Sequence, residues 1–128
     1  MGQVKSYKDL EIYLLSKKLA VRVHKMTLDD LPKFEMFEEG SQIRRSSKSI
    51  VSNIVEGYGR RMYKNEFVRF LTYAVGSCDE TKAHLEMLYE TGSLDKQNIF
   101  EQLINGYEEV GSKLFRFREA VIKSHRSS

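Results

Sequence analysis

FVRFLTYAVGSCDETKAHLEML, residues Phe67 to Leu88, is the stretch that decides the fold. Phe67, Leu71, Ala74, Cys78, Thr81, Leu85 and Leu88 return at steps of four and three without a break, the interval of one face of an α-helix. The pattern predicts a helix from about Lys64 to Glu90, ended by Thr91-Gly92-Ser93. Downstream, Ile99 (or Phe100), Leu103, Tyr107, Val110, Leu114, Phe117 and Val121 keep the same spacing, so a helix is expected from near Asp95 to about Lys123. Upstream, one helix is expected over roughly Glu35 to Glu56, stopped by Gly57 and Gly59. Another is expected from about Lys8 to Met26, where Ile12, Leu15, Leu19, Val23 and Met26 form the stripe. Between these two lies a loop with Asp29-Asp30-Leu31-Pro32, which holds the only proline.

Strand-type alternation is absent. Long helices with short connections pack most simply as an all-α, antiparallel, up-and-down four-helix bundle. At 128 residues the chain is read as a single domain, with disordered ends expected at residues 1–6 and 124–128. The apolar positions exceed one stripe per helix: Phe100, Ile104, Phe115 and Ile122 form a second set, and Phe70 and Tyr73 are left over. A homo-oligomer is therefore expected.

No run of about 18 apolar residues exists, so no membrane span is expected. The N-terminal MGQVKSYKDLEI has no apolar core of a secretory signal. One cysteine, Cys78, excludes a disulfide framework and a cysteine-based metal site, and the expected location is cytoplasmic. The net charge of +3 is unevenly spread. Gln42 to Arg69 holds seven Lys/Arg against Glu56 and Glu66, a net +5, and Lys113 to Ser128 holds five against Glu119, a net +4. Gly76 to Ser112 holds Lys82 and Lys96 against eight acids, a net −6. Such polarity favours polyanions on one side, or contacts between copies of the chain.

Ahead of the opening stretch, SKSIVSNIVEGYGRR (Ser47 to Arg61) threads polar groups beside its apolar ones. On a helix Gln42, Ser46, Ser49, Asn53 and Glu56 form one row, next to Ile43, Ser47, Ile50, Ile54 and Gly57. Asn53 and Glu56 then need partners, because a buried amide or carboxylate without hydrogen bonds costs several kcal/mol. The candidates are Ser77, Tyr73 or Thr81 for hydrogen bonding and nearby cations for Glu56. Gln42, Ser49, Asn53, Glu56, Ser77 and Glu80 are accordingly read as a structural polar layer. A pocket within the bundle and a subunit interface are the alternatives. Gly57-Tyr58-Gly59-Arg60-Arg61 closes a helix, whereas a phosphate loop opens one, so it is not a nucleotide loop. Phosphate beside Arg60, Arg61 and Lys64, ahead of the next helix, is nevertheless physically reasonable.

Leu31-Pro32, Glu35, Gln42-Ile43-Arg44-Arg45, Ser49-Ile50, Asn53-Ile54, Glu56-Gly57 and Gly59-Arg60 resemble the signature of the bacterial four helix bundle protein family. Members of that family were first noticed as products of intervening sequences in 23S rRNA genes. Glu66-Phe67, Phe70-Leu71, Ala74, Gly76-Ser77 and Glu80 continue the likeness, which spans Lys8 to about Val121. The sequence is also similar to the accessory protein of diversity-generating retroelements. The resemblance implies a homo-oligomer, a pentameric ring or barrel, that binds RNA or DNA without catalysis and has a protein partner such as a reverse transcriptase. Glu38-Glu39 depart from the pattern, where such sequences usually carry Gly-Leu.

Nucleic-acid contacts are assigned to Arg44, Arg45, Lys48, Arg60, Arg61 and Lys64, with Arg116, Arg118 and Lys123 as a second patch. Catalytic, metal and cofactor sites are not expected. A di-iron bundle needs two Glu-x-x-His pairs, and the sequence has none. Cys78 lies on the core stripe. Two alternatives stand: an adaptor that binds protein and not nucleic acid, and a ribonuclease using Arg118 and His125, whose spacing resembles the motif of the HEPN ribonucleases.

Overall fold

The computed structural model describes residues 4–124. It holds α1 (Glu11–Asp29), α2 (Glu39–Gly59), α3 (Lys64–Glu90) and α4 (Gln97–Ile122), with short 3-10 turns at Tyr7–Asp9 and Lys33–Phe37. Each helix packs against its neighbour in sequence, and α4 closes the square against α1. Contacts between neighbours run in opposite senses. Across α2 and α3, Ser46 meets Thr81 and Ser49 meets Ser77. Across α3 and α4, Arg118 reaches Thr72 and Cys78 reaches the Tyr107 carbonyl. Across α1 and α4, Lys113 pairs with Glu11 and Lys96, just before α4, with Asp30, just after α1. The bundle is therefore antiparallel throughout.

All seven stripe residues of α3, Phe67 to Leu88, are buried, and Leu103, Tyr107, Val110 and Leu114 of α4 meet them in one core. Ile43, Ile50 and Ile54 enter from α2, and Ile12, Leu19, Val23 and Met26 from α1. Burying each large apolar side chain contributes about 1.5–3 kcal/mol. This periodic burial holds the helices together.

The boundaries differ from expectation in two places. Glu35 does not open α2. It lies in the 3-10 turn, buried, where its carboxylate accepts hydrogen bonds from Ser93 Oγ (2.6 Å) and from the Gly40 N–H (3.4 Å). It thereby satisfies a first-turn donor of α2 and ties it to the α3–α4 loop. Second, Gly57 and Gly59 do not stop α2, since both are helical and the cap is Arg60. A Cβ on Gly57 would stand 3.0 Å from Phe70 Cβ, so the missing side chain lets α3 approach. The expected glycine stop occurs at Gly92, the only described residue with positive φ (87°). Before α1, the Lys5 and Ser6 N–H groups donate to the Asp9 carboxylate. Residues 1–3 and 125–128 lie outside the described residues.

Candidate nucleic-acid interface

The polar row of α2 turns toward α3, and its short side chains bond across the seam. Thr81 Oγ1 donates to the Ser77 carbonyl (2.8 Å), so in the buried 2.8 Å pair Ser46 is the donor to Thr81. Asn53 Nδ2 donates to both the carbonyl and Oγ of Ser49, and the Ser49 and Ser77 hydroxyls share a hydrogen bond at 2.9 Å. These groups bond to one another across and within the seam. The layer thus consists of Ser46, Ser49, Asn53, Ser77 and Thr81. Gln42 and Glu56 lie outside it, exposed, and Glu56 pairs with Arg60. Glu80 is exposed beside His84 Nε2 (3.2 Å), while His84 Nδ1 meets Glu39. The Glu38-Glu39 departure therefore has a local counterpart: Glu39 links the start of α2 to α3 through His84.

The nine cations named for phosphate contact fall into two groups. Several are engaged by the protein. Arg44 Nη1 donates to Thr27 Oγ1 (2.9 Å) and Nη2 to the Met36 carbonyl (2.6 Å), so it fastens the end of α1 and the 3-10 turn to α2. Arg60 pairs with Glu56 (2.9 Å) and Glu66 (3.6 Å). Lys64 donates to the Ser124 carbonyl (2.9 Å). Arg118 donates to Thr72 Oγ1 (3.3 Å) and lies 5.5 Å from the Phe115 ring. The rest meet no acid among the described residues. Arg61 stacks on Tyr58 (4.1 Å), Arg116 donates only to Ser112, and Arg45, Lys48 and Lys123 are exposed.

Arg45 and Lys48 belong to a larger basic face that the sequence reading divided. Residues 12–28 and 41–52, most of α1 and half of α2, carry Lys17, Lys18, Arg22, Lys25, Arg44, Arg45 and Lys48 and no Asp or Glu. Between the two helices runs an open groove of about 420 Å³ lined by Lys17, Ala20, Val21, His24, Lys25, Lys48, Val51 and Ser52. Its floor is apolar and its rim cationic. The signal was present in the sequence as two acid-free segments, but counting charge by contiguous segment hid it, because the two strips join only when α1 and α2 lie side by side.

Cys78 is buried and its Sγ donates to the Tyr107 carbonyl (3.4 Å). Burial pushes its thiol up to about 11, with Lys82 pulling only partly the other way. It is protonated at neutral pH and packs as a small apolar side chain. Of the two residues named for ribonuclease chemistry, Arg118 is placed as above and His125 lies outside the described residues. Among the described residues, no group of three His, Cys, Asp or Glu side chains is arranged to hold a metal ion. No described helix is long and apolar enough to cross a membrane.

The family profile of the 23S rRNA-intervening sequence proteins matches residues 8–116. No curated protein matches the chain. Among solved structures, a protein of unknown function from the S23 ribosomal protein family of Bacteroides thetaiotaomicron superposes with a TM-score of 0.74 at 25% identity, covering 84% of this chain and 95% of that one.

Proposed function

We propose that this chain, which belongs to the 23S rRNA-intervening sequence protein family, is a non-catalytic, self-assembling bundle that binds nucleic acid, RNA foremost, by neutralising phosphates. The observation that carries the reading is the α1–α2 groove, whose lining carries Lys17, Lys25 and Lys48 and no acid. A cation already paired with a carboxylate must give up that partner to take a phosphate, whereas Lys17, Lys18, Lys25, Arg45 and Lys48 make no ion pair among the described residues. Their binding energy comes from counterion release, which is salt-sensitive and indifferent to sequence. The apolar groove floor offers no donors or acceptors to base edges, which supports the same lack of base readout. Assembly is supported by Phe34 and Phe37, which stand exposed on the 3-10 turn away from the groove, and by the resemblance, which implies five copies.

The test is a titration of end-labelled structured RNA at low and moderate salt with wild type and the K17E/K25E/K48E variant. Reversing three exposed charges is expected to weaken binding by about 100-fold and to reduce the salt slope by about 3, near 0.9 for each lost phosphate contact. Equal affinity and slope would overturn the assignment and favour the adaptor. Recovery of shortened RNA would overturn the non-catalytic part. A solution mass equal to the 14.9 kDa monomer would overturn assembly.

A further inference from the structure

Resting on the nucleic-acid reading, we propose that the lower outer face of α3 is a stacking platform for unpaired bases, so that the protein prefers single-stranded nucleic acid to duplex. The face is a band of alternating guanidinium groups and rings. Arg60 lies 5.1 Å from the centre of the Phe70 ring, and Arg69 lies 5.2 Å from Phe70 and 5.9 Å from Tyr73. Phe70 and Tyr73 meet edge to face at 5.6 Å. One helix face further round, Thr72 receives Arg118, which lies 5.5 Å from Phe115. Tyr73 is 47% exposed and Phe115 51%, fractions that leave ring surface open beside fixed positive charge.

The acids in the band decide what it can offer. Glu66 binds Arg69 at 2.8 Å, and its hydrogen bond and charge raise the pKa of that guanidinium. It also lies 3.6 Å from Arg60, which Glu56 holds at 2.9 Å. With Glu56 and Glu66 already on the arginines, the band adds little net attraction for phosphate beyond what the α1–α2 face supplies. Rigidly placed rings and guanidinium planes remain, and these are the surfaces on which bases stack. In a duplex the base faces are covered by neighbouring bases, so only an unpaired strand can use the band. Further along α3, Glu80 follows Tyr73 on its stripe and Asp79, Glu86 and Glu90 follow Thr72 on the next, which limits the platform to the arginine end.

The experiment compares a 20-nucleotide single strand carrying 2-aminopurine with the blunt duplex of the same sequence, using wild type, Y73L/F115L and Y73F. Wild type is expected to bind the single strand about tenfold or more tighter than the duplex and to quench its fluorescence. Y73L/F115L should lose about tenfold on the single strand, within the range for lost base stacking, and nothing on the duplex. Y73F, which keeps the ring, should behave as wild type. Both substituted side chains are exposed, and unchanged helicity would show that the fold is kept. Equal affinity of wild type for strand and duplex, an unaltered Y73L/F115L, or a Y73F as weak as the double variant would each overturn the platform while leaving the nucleic-acid reading standing. Binding of neither form would overturn both.

Discussion

The two flanks of α2 use polar residues in opposite ways. Toward α3 the helix presents Ser46, Ser49, Asn53 and Gly57, all short, and the hydroxyl and amide groups are bonded across the seam or within it. Toward α1 and solvent it presents Arg45 and Lys48, long and without an acid partner. The first flank draws two backbones together and completes the hydrogen bonding of every polar atom it buries. The second leaves charge in water, where desolvation costs nothing and a polyanion can reach it. Polarity alone does not separate structural from functional residues. Side-chain reach and the presence of a partner do.

The strongest break of the structural flank is at Gly57. Gly57→Leu would drive a branched side chain into Phe70 and Phe67, and is expected to cost about 1–3 kcal/mol of stability from overpacking. Chemical denaturation measures that loss, while the affinity of the folded fraction for RNA should stay unchanged. A stability equal to wild type would mean that α2 and α3 are not in close contact there. A smaller effect is expected from Thr81→Val. It removes the acceptor of Ser46 and the donor to the Ser77 carbonyl, and Ser46 can turn back to the Ile43 carbonyl at 3.3 Å. The net loss should be about 1 kcal/mol, again without a change in binding. If Thr81→Val weakened RNA binding while stability held, the seam would be part of the site.

The helices were legible because their signal is local. The four-three spacing of Phe67 to Leu88 names the buried face of α3 residue by residue, and no distant contact is needed to read it. What escaped was set by contacts across the chain. Glu35 looks like a first-turn acid, but Ser93, 58 residues away, draws it into a buried turn. Gly57 looks like a stop because glycine often ends helices, whereas here its neighbours Phe67 and Phe70 determine its use. Arg44 looks like a phosphate ligand until the Met36 carbonyl and Thr27 are seen to occupy it. Lys17 and Lys25 carry no local signal for the complementary reason: they come to lie beside Lys48 only across the α1–α2 groove, a juxtaposition that no count along one segment displays.

Arg60, the cap of α2 beside α3, gives the finest test of the contrast. It is a cation at the edge of a basic surface, yet Glu56 and Glu66 both bind it and Phe70 lies beneath it. Were charge alone sufficient, Arg60→Ala would weaken RNA binding as much as Lys48→Ala. If partnership governs, most of the loss appears in stability. Its side chain is about half exposed (47%), so solvent screens the ion pairs and the expected cost is only about 0.5 kcal/mol. Binding should weaken less than about threefold, with the salt slope falling by well under the 0.9 of a full phosphate contact, whereas Lys48→Ala should show nearly the whole of that slope change. Measured side by side at two salt concentrations, equal slopes for the two variants would refute the division. Unequal slopes would show that an acid neighbour is what withdraws an arginine from the nucleic-acid surface.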